Sequence, residues 1–170
     1  MRYGSFRLTD EVLAAWRTTL EAAKALEATA IVFQSPASFT PTPPHVRNLR
    51  AFFRAIAKEA GRIRLCWEPR GDWSRQRVLE LGEELGLVLA VDPFKSEPPP
   101  SGLRYFRLHG IGGYRYAYSE SDLRRLLGWC EGETYCLFNN MTMANDAQRF
   151  ERLLATGARR TQRLCRQRRS

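Results

Sequence analysis

Ala30-Ile31-Val32-Phe33-Gln34 is a short, almost wholly apolar run that stops at a polar side chain. The same form recurs at Leu65-Cys66-Trp67-Glu68, Val88-Leu89-Ala90-Val91-Asp92, Tyr105-Phe106-Arg107-Leu108-His109 and Cys136-Leu137-Phe138-Asn139. A strand buried in a parallel sheet has helices over its faces, so it reads as a nearly continuous apolar stretch. The runs predict strands over about residues 29–34, 63–68, 87–91, 103–109 and 134–138. Helical spacing precedes the first run and follows four of the five. Asp92–Gly102 has none, so the third strand leads to the fourth through a long loop.

Local signals place the helices. Thr9 or Asp10 can cap a helix that carries Val12, Leu13, Trp16, Leu20 and Ala23 at helical spacing. Val46, Leu49, Phe52, Phe53, Ile56 and Ala60 mark the next, with Gly61 as its stop. Val78, Leu79, Leu81 and Leu85 mark a third, ended by Gly86. Ser119 caps a short helix bearing Leu123, Leu126, Leu127 and Trp129. Met143, Ala147, Phe150, Leu153 and Leu154 mark the last, predicted to stop near Gly157. Strands alternating with helices give parallel sheets joined by right-handed crossovers. Two α/β architectures fit: an open doubly wound sheet of five strands, or part of a (β/α)8 barrel, which needs about 250 residues when complete. Gly110-Ile111-Gly112-Gly113 does not match GxGxxG and opens no clear helix, which counts against dinucleotide binding.

A chain of 170 residues with 44% hydrophobic residues is long enough for one ordinary domain with a real core. No apolar run approaches the roughly 18 residues that span a bilayer, and Met1–Phe6 lacks the apolar centre of a secretory signal, so a cytoplasmic location without membrane contact is expected. The net charge of +9 is unevenly placed. Residues 158–170 hold six arginines and no acid, and setting them aside leaves +3. The chain divides accordingly into a domain at 1–157 and a basic tail at 158–170, expected to be disordered and solvated. Such a tail can attract phosphate backbones, but no aromatic residues interleave its arginines for base stacking. Cys66, Cys130, Cys136 and Cys165 show no CxxC spacing. That argues against a zinc site or a disulfide framework, and it makes Cys66 and Cys136 small buried hydrophobes of their strands.

Phe33-Gln34-Ser35-Pro36-Ala37-Ser38-Phe39, Trp67-Glu68-Pro69-Arg70 with Trp73, Asp92, Arg107-Leu108-His109-Gly110 and Phe138-Asn139-Asn140 resemble, in order, the signatures of the YecE-like family, domain of unknown function 72. The resemblance runs from about Gly4 to Leu154 and implies a (β/α)8 barrel. Against the usual members, the chain looks like the barrel from the helix before strand four onward, without the first three βα units. The expected fold is thus α/β, a partial TIM-barrel-like (β/α) array of parallel strands. Strands 30–34 and 134–138 would then be open edges, which invite pairing with a second copy or a complementing polypeptide.

The strand ends hold the candidate site, because α/β folds build their sites at the carboxyl ends of parallel strands. Residues two apart on a strand share a face, which groups Cys66 with Glu68 and Arg70, and Tyr105 with Arg107 and His109. His109 is the natural general acid or base, with Glu68 or Asp92 as partner carboxylate. Arg70 and Arg107 carry guanidinium forks that match phosphate or carboxylate. Gln34, Asn139 and Asn140 add amide groups, although Asn139-Asn140 also suits a helix cap. Tyr114, Tyr116 and Tyr118 can stack on a ligand ring, though such a tyrosine-rich loop more often covers itself. The competing reading makes Glu68, Asp92 and Arg107 a buried ion network. His45 reads as exposed.

No cofactor is expected. A carboxylate-rich magnesium or manganese site at Glu68, Asp92 and His109 is the minor reading. GxSxG is absent, which excludes the usual serine-hydrolase arrangement. The sequence points to an enzyme-like barrel that takes a small anionic ligand. The alternative is a nucleic-acid- or protein-binding module that uses the arginine-rich tail.

Overall fold

A computed structural model describes residues 4–100 and 102–167, with side chains described through Thr156. The element order is α1 (Asp10–Ala25), β1 (Ala30–Ser35), α2 (Pro43–Ala60), β2 (Arg64–Pro69), α3 (Arg75–Leu85), β3 (Val88–Val91), β4 (Arg104–Leu108), α4 (Glu120–Trp129), β5 (Thr134–Phe138) and α5 (Met143–Gln167). The chain forms two compact units that divide between Ala90 and Val91. Both are built from parallel strands alternating with helices.

In the first unit β1 pairs with β2 from Ala30↔Arg64 to Ser35↔Pro69, and β2 pairs with β3 at Cys66↔Val88 and Trp67↔Leu89. Phe33 turns to the helix side, where its ring meets Phe52 at 5.7 Å, Phe53 at 5.1 Å and Trp16 at 6.0 Å. Pleating puts Gln34 and Glu68 side by side in register on the opposite face. Two helix boundaries of this unit fall on residues the sequence marks, the Thr9 start and the Gly86 stop. Thr9 caps α1, and Ser74 and left-handed Gly86 bound α3.

In the second unit β4 and β5 pair from Arg104↔Thr134 to Leu108↔Phe138. Phe106 and Leu108 are fully buried among Leu123 and Leu126 of α4 and Phe150 of α5, with Tyr118 completing the cluster. The other face of the pair carries Tyr105 stacked on Tyr135 at 5.6 Å, then Arg107 opposite Leu137. His109 and Asn139 end the same rows. Ser119 and Asp122 close a capping box on α4.

One boundary differs from expectation. The last helix does not stop at Gly157 but runs on to Gln167. A single interior glycine costs only about 1 kcal/mol, and the alanine and arginines after it are good helix formers. Of the basic segment at 158–170, residues 158–167 continue the helical backbone and 168–170 lie outside the described residues. Among the described residues no helix is long and apolar enough to cross a membrane.

The core of the first unit carries a pH dependence. Cys66 is fully buried on β2, and burial pushes its thiol up to about 12 from an ordinary value near 9. The folded chain therefore keeps the proton where the unfolded chain has already released it, so stability falls as pH rises between about 9 and 12. Chemical denaturation at pH 8 and pH 11 should show this loss, and Cys66→Ala should reduce it. An alkaline slope identical in parent and variant would remove Cys66 as its source.

Candidate functional site

The geometry develops separately in each unit. In the first, Glu68 sits at the end of β2 with its side chain only 6% exposed, and Arg70 Nε reaches back to its Oε1 at 2.9 Å. Gln34 is its exposed register partner on β1. Beside them, the loops after β1 and β2 lock together. Trp73 Nε1 donates to the Phe39 carbonyl at 2.6 Å, and Trp67 packs edge-on against Trp73 at 5.1 Å. Gly71 passes so close that a Cβ there would lie 2.3 Å from the Phe39 carbonyl oxygen. Phe39 also stacks on His45 at 4.5 Å, and His45 Nδ1 lies 2.8 Å from the Thr40 carbonyl. His45 is therefore half-buried and engaged, not exposed as the sequence suggested. The apolar residue that shields it sits six positions away in a loop, outside any periodic signal.

In the second unit Asp92, His109 and Asn139 come together. Asp92, buried just past β3, accepts the Phe94 N–H on Oδ1 and the His109 N–H on Oδ2, both at 3.1 Å. Lys95 Nζ stands 3.8 Å from the same carboxylate. The Asn139 N–H donates to the Leu108 carbonyl at 2.8 Å, which carries the strand register one step past β5. That step places the Asn139 Nδ2 amide 3.1 Å from His109 Nδ1. An amide nitrogen only donates, so Nδ1 accepts and the neutral ring keeps its proton on Nε2. The imidazole is held at one ring nitrogen while its backbone is pinned by a buried carboxylate.

A second network supports this one. The Gly110 N–H donates to the Tyr118 hydroxyl at 2.8 Å, and Tyr118 is 1% exposed. Burial, together with the nearby carboxylates of Asp92, Asp146 and Asp122, raises the Tyr118 phenol above its usual value and keeps it neutral. Asp146 Oδ2 accepts the Tyr118 N–H at 3.3 Å, the Thr142 hydroxyl at 2.6 Å and the Asn140 amide at 2.8 Å. Asn140 is fully buried and also donates to the Tyr116 carbonyl at 2.7 Å, so its amide serves the loop from inside. Tyr114, by contrast, is 56% exposed, and its carbonyl accepts the Met141 N–H at 2.9 Å.

Of the candidates, then, Asp92, His109 and Asn139 form one constellation, with Arg107 two residues back on the same face of β4. Glu68 and Arg70 form an ion pair in the other unit, with Gln34 beside Glu68. The sequence reading missed Lys95 and Asp146, and it gave Tyr118 a stacking or loop-covering place without its partners. Only Lys95 had a local signal, its position three residues after Asp92. Among the described residues, no group of three or more His, Cys, Asp and Glu is placed to hold a metal ion.

Comparison with known proteins gives the lineage. A structure of a DUF72 family protein from Thermotoga maritima MSB8 is similar over 82% of this chain and 64% of its own, with 24% identity and a TM-score of 0.65. A DUF72 family protein from Enterococcus faecalis V583 gives 87%, 67%, 18% and 0.67 in the same order. A protein from Salmonella typhimurium LT2 described as containing a xylose isomerase domain gives 92%, 72%, 18% and 0.58. The chain thus spans about two thirds of the length of the two family structures. These likenesses show the fold, an α/β array of TIM-barrel-like (β/α) units. No protein of curated function matches. The family described as "Protein of unknown function DUF72" matches residues 4–169, nearly the whole sequence, and the chain belongs to that family.

Proposed function

We propose that the ends of β4 and β5 bind a small anionic ligand bearing a phosphate or carboxylate, with His109 as its hydrogen-bond and proton donor. The reading rests on one observation: the half-buried imidazole is fixed through Nδ1 by Asn139 and through its backbone by Asp92. A ring held at its back by an amide and at its base by a buried carboxylate is oriented for proton donation. Lys95, half exposed beside Asp92, and Arg107, on the same strand face as His109, supply positive charge. A polar rim at the carboxyl ends of parallel strands is where α/β proteins place ligands.

Calorimetric titration with inorganic phosphate, glycerol phosphate and a nucleoside monophosphate tests the reading. At least one should bind the parent. His109→Ala should weaken that binding about 10- to 100-fold, the worth of one charge-assisted hydrogen bond, and leave thermal unfolding close to the parent's. A parent that takes none of the three overturns the anion reading. Unchanged affinity in the variant removes the role given to His109.

A further inference from the structure

Among the described side chains, the second unit holds two thiols that the strand-end chemistry does not use. Cys130 is the C-cap residue of α4, and Cys136 lies in the middle of β5. Their sulfurs are 3.7 Å apart, the closeness of non-bonded contact, and both residues are half-buried. Sequence spacing gave no sign of this, because six positions and a turn through Gly132 separate them. We infer that Cys130 and Cys136 form an oxidation site, a dithiol that a peroxide converts to an intramolecular disulfide.

Three features of the structure carry the inference. The first is proximity: reaching the bonded distance of about 2.05 Å requires a combined sulfur displacement of roughly 1.7 Å, which χ1 rotation can share between the two side chains. The second is access. Both cysteines line a cavity of about 310 Å³ bounded also by Phe138, Phe150, Glu151 and Leu154, ample for a molecule of peroxide size. The third is the division of labour between the thiols. A hydrogen bond from Cys136 lowers the Cys130 thiol, with burial opposing and the positive charge of Arg104 assisting. The same contact, with burial, raises Cys136. Cys130 sits at the negative end of the α4 dipole, which works against a thiolate. Arg104 counters it there, with its guanidinium donating to the Trp129 carbonyl and to Glu131 at 2.6 Å. Cys130 is therefore the attacking sulfur and Cys136 the resolving one. Cys66, fully buried on its strand, has neither partner nor cavity in common with them.

The chemistry balances with peroxide as the oxidant. The Cys130 thiolate attacks one peroxide oxygen, the O–O bond breaks, and the departing hydroxide takes up the thiol's proton to leave as water. Cys130 is then a sulfenic acid. The Cys136 sulfur attacks the sulfenic sulfur, the S–S bond forms, the S–O bond breaks, and the second water leaves with the Cys136 proton. Two thiols lose two protons and two electrons, and one peroxide becomes two waters.

Peptide mass mapping of the full chain tests this. The reduced protein is treated with a few equivalents of hydrogen peroxide and its remaining thiols are then alkylated. The segment holding residues 130 and 136 should be two hydrogens lighter and unalkylated, should return to the alkylated form after dithiothreitol, and should leave Cys66 untouched. In Cys136→Ser, Cys130 should accumulate a sulfenic acid captured by dimedone. Equal alkylation of both thiols before and after peroxide overturns the proposal, as does a disulfide formed only between chains or only through Cys165. The parent's readout stands alone even where the serine variant folds poorly.

Discussion

Asp146→Ala should destabilise the second unit by about 3–5 kcal/mol, the cost of leaving several buried partners of a lost charge unpaired. Asp146 is fully buried and its carboxylate gathers groups from three segments. It accepts the Tyr118 N–H from the loop before α4, and the Asn140 amide and Thr142 hydroxyl from the turn before α5. It also takes Arg149 at 3.2 Å on Oδ1, and that arginine reaches on to the Tyr118 carbonyl at 2.6 Å. Alanine removes every acceptor at once and leaves a Tyr118 N–H, an amide and a hydroxyl facing a void. Asp146→Asn keeps the shape and one acceptor, so it should cost less. Hydrogen exchange of the β4 amides in denaturant reads the effect where it is expected. A loss below about 1 kcal/mol in the alanine variant would mean that water replaces the carboxylate without penalty, and the network would not be what orders these loops.

The same network shows what the sequence could and could not disclose. Strands were legible because each is apolar on both faces, and helices because Thr9, Ser119 and Gly86 are chemically suited to caps and stops. His109 and Asn139 were legible because a polar residue at the end of an apolar strand has a predictable place. Asp146 and its pairing with Tyr118 were not, since a hydrogen bond across 28 residues leaves no period in the chain. Asn140 reads like its neighbour Asn139 in sequence, yet one faces the imidazole and the other is sealed inside the loop. The difference is set by the direction of the backbone after β5, a tertiary property. Gly157 misled for the opposite reason: a local stop signal was present, but the sequence around it was helical enough to override it. The pairing of Cys130 with Cys136 depends on a turn that folds a helix end back onto a strand, and spacing alone does not encode that.

Gly110→Ala should cost about 2–4 kcal/mol and should weaken anion binding at His109 at least tenfold. Gly110 directly follows His109 and has a φ of +86°, in the left-handed region that a side chain rarely enters. A Cβ at this position would lie 2.1 Å from the Gly113 carbonyl oxygen and 3.0 Å from Tyr116 Cβ. The first of these is backbone, held by its own bond from the Tyr116 N–H at 3.0 Å, so it cannot swing aside as a side chain end would. The turn must open, and opening it moves the Gly110 N–H off the Tyr118 hydroxyl and shifts the adjacent His109 N–H against Asp92. Gly112 supplies the control. Its φ is +80°, but nothing lies within 4 Å of a Cβ built there. Gly112→Ala should therefore cost only the backbone strain, about 1 kcal/mol, and leave affinity near the parent's. Denaturation and phosphate titration of the two variants separate conformational strain from close packing. Equal losses in both would show that the +φ backbone alone sets the penalty. Intact binding in Gly110→Ala would show that the position of His109 does not depend on this turn.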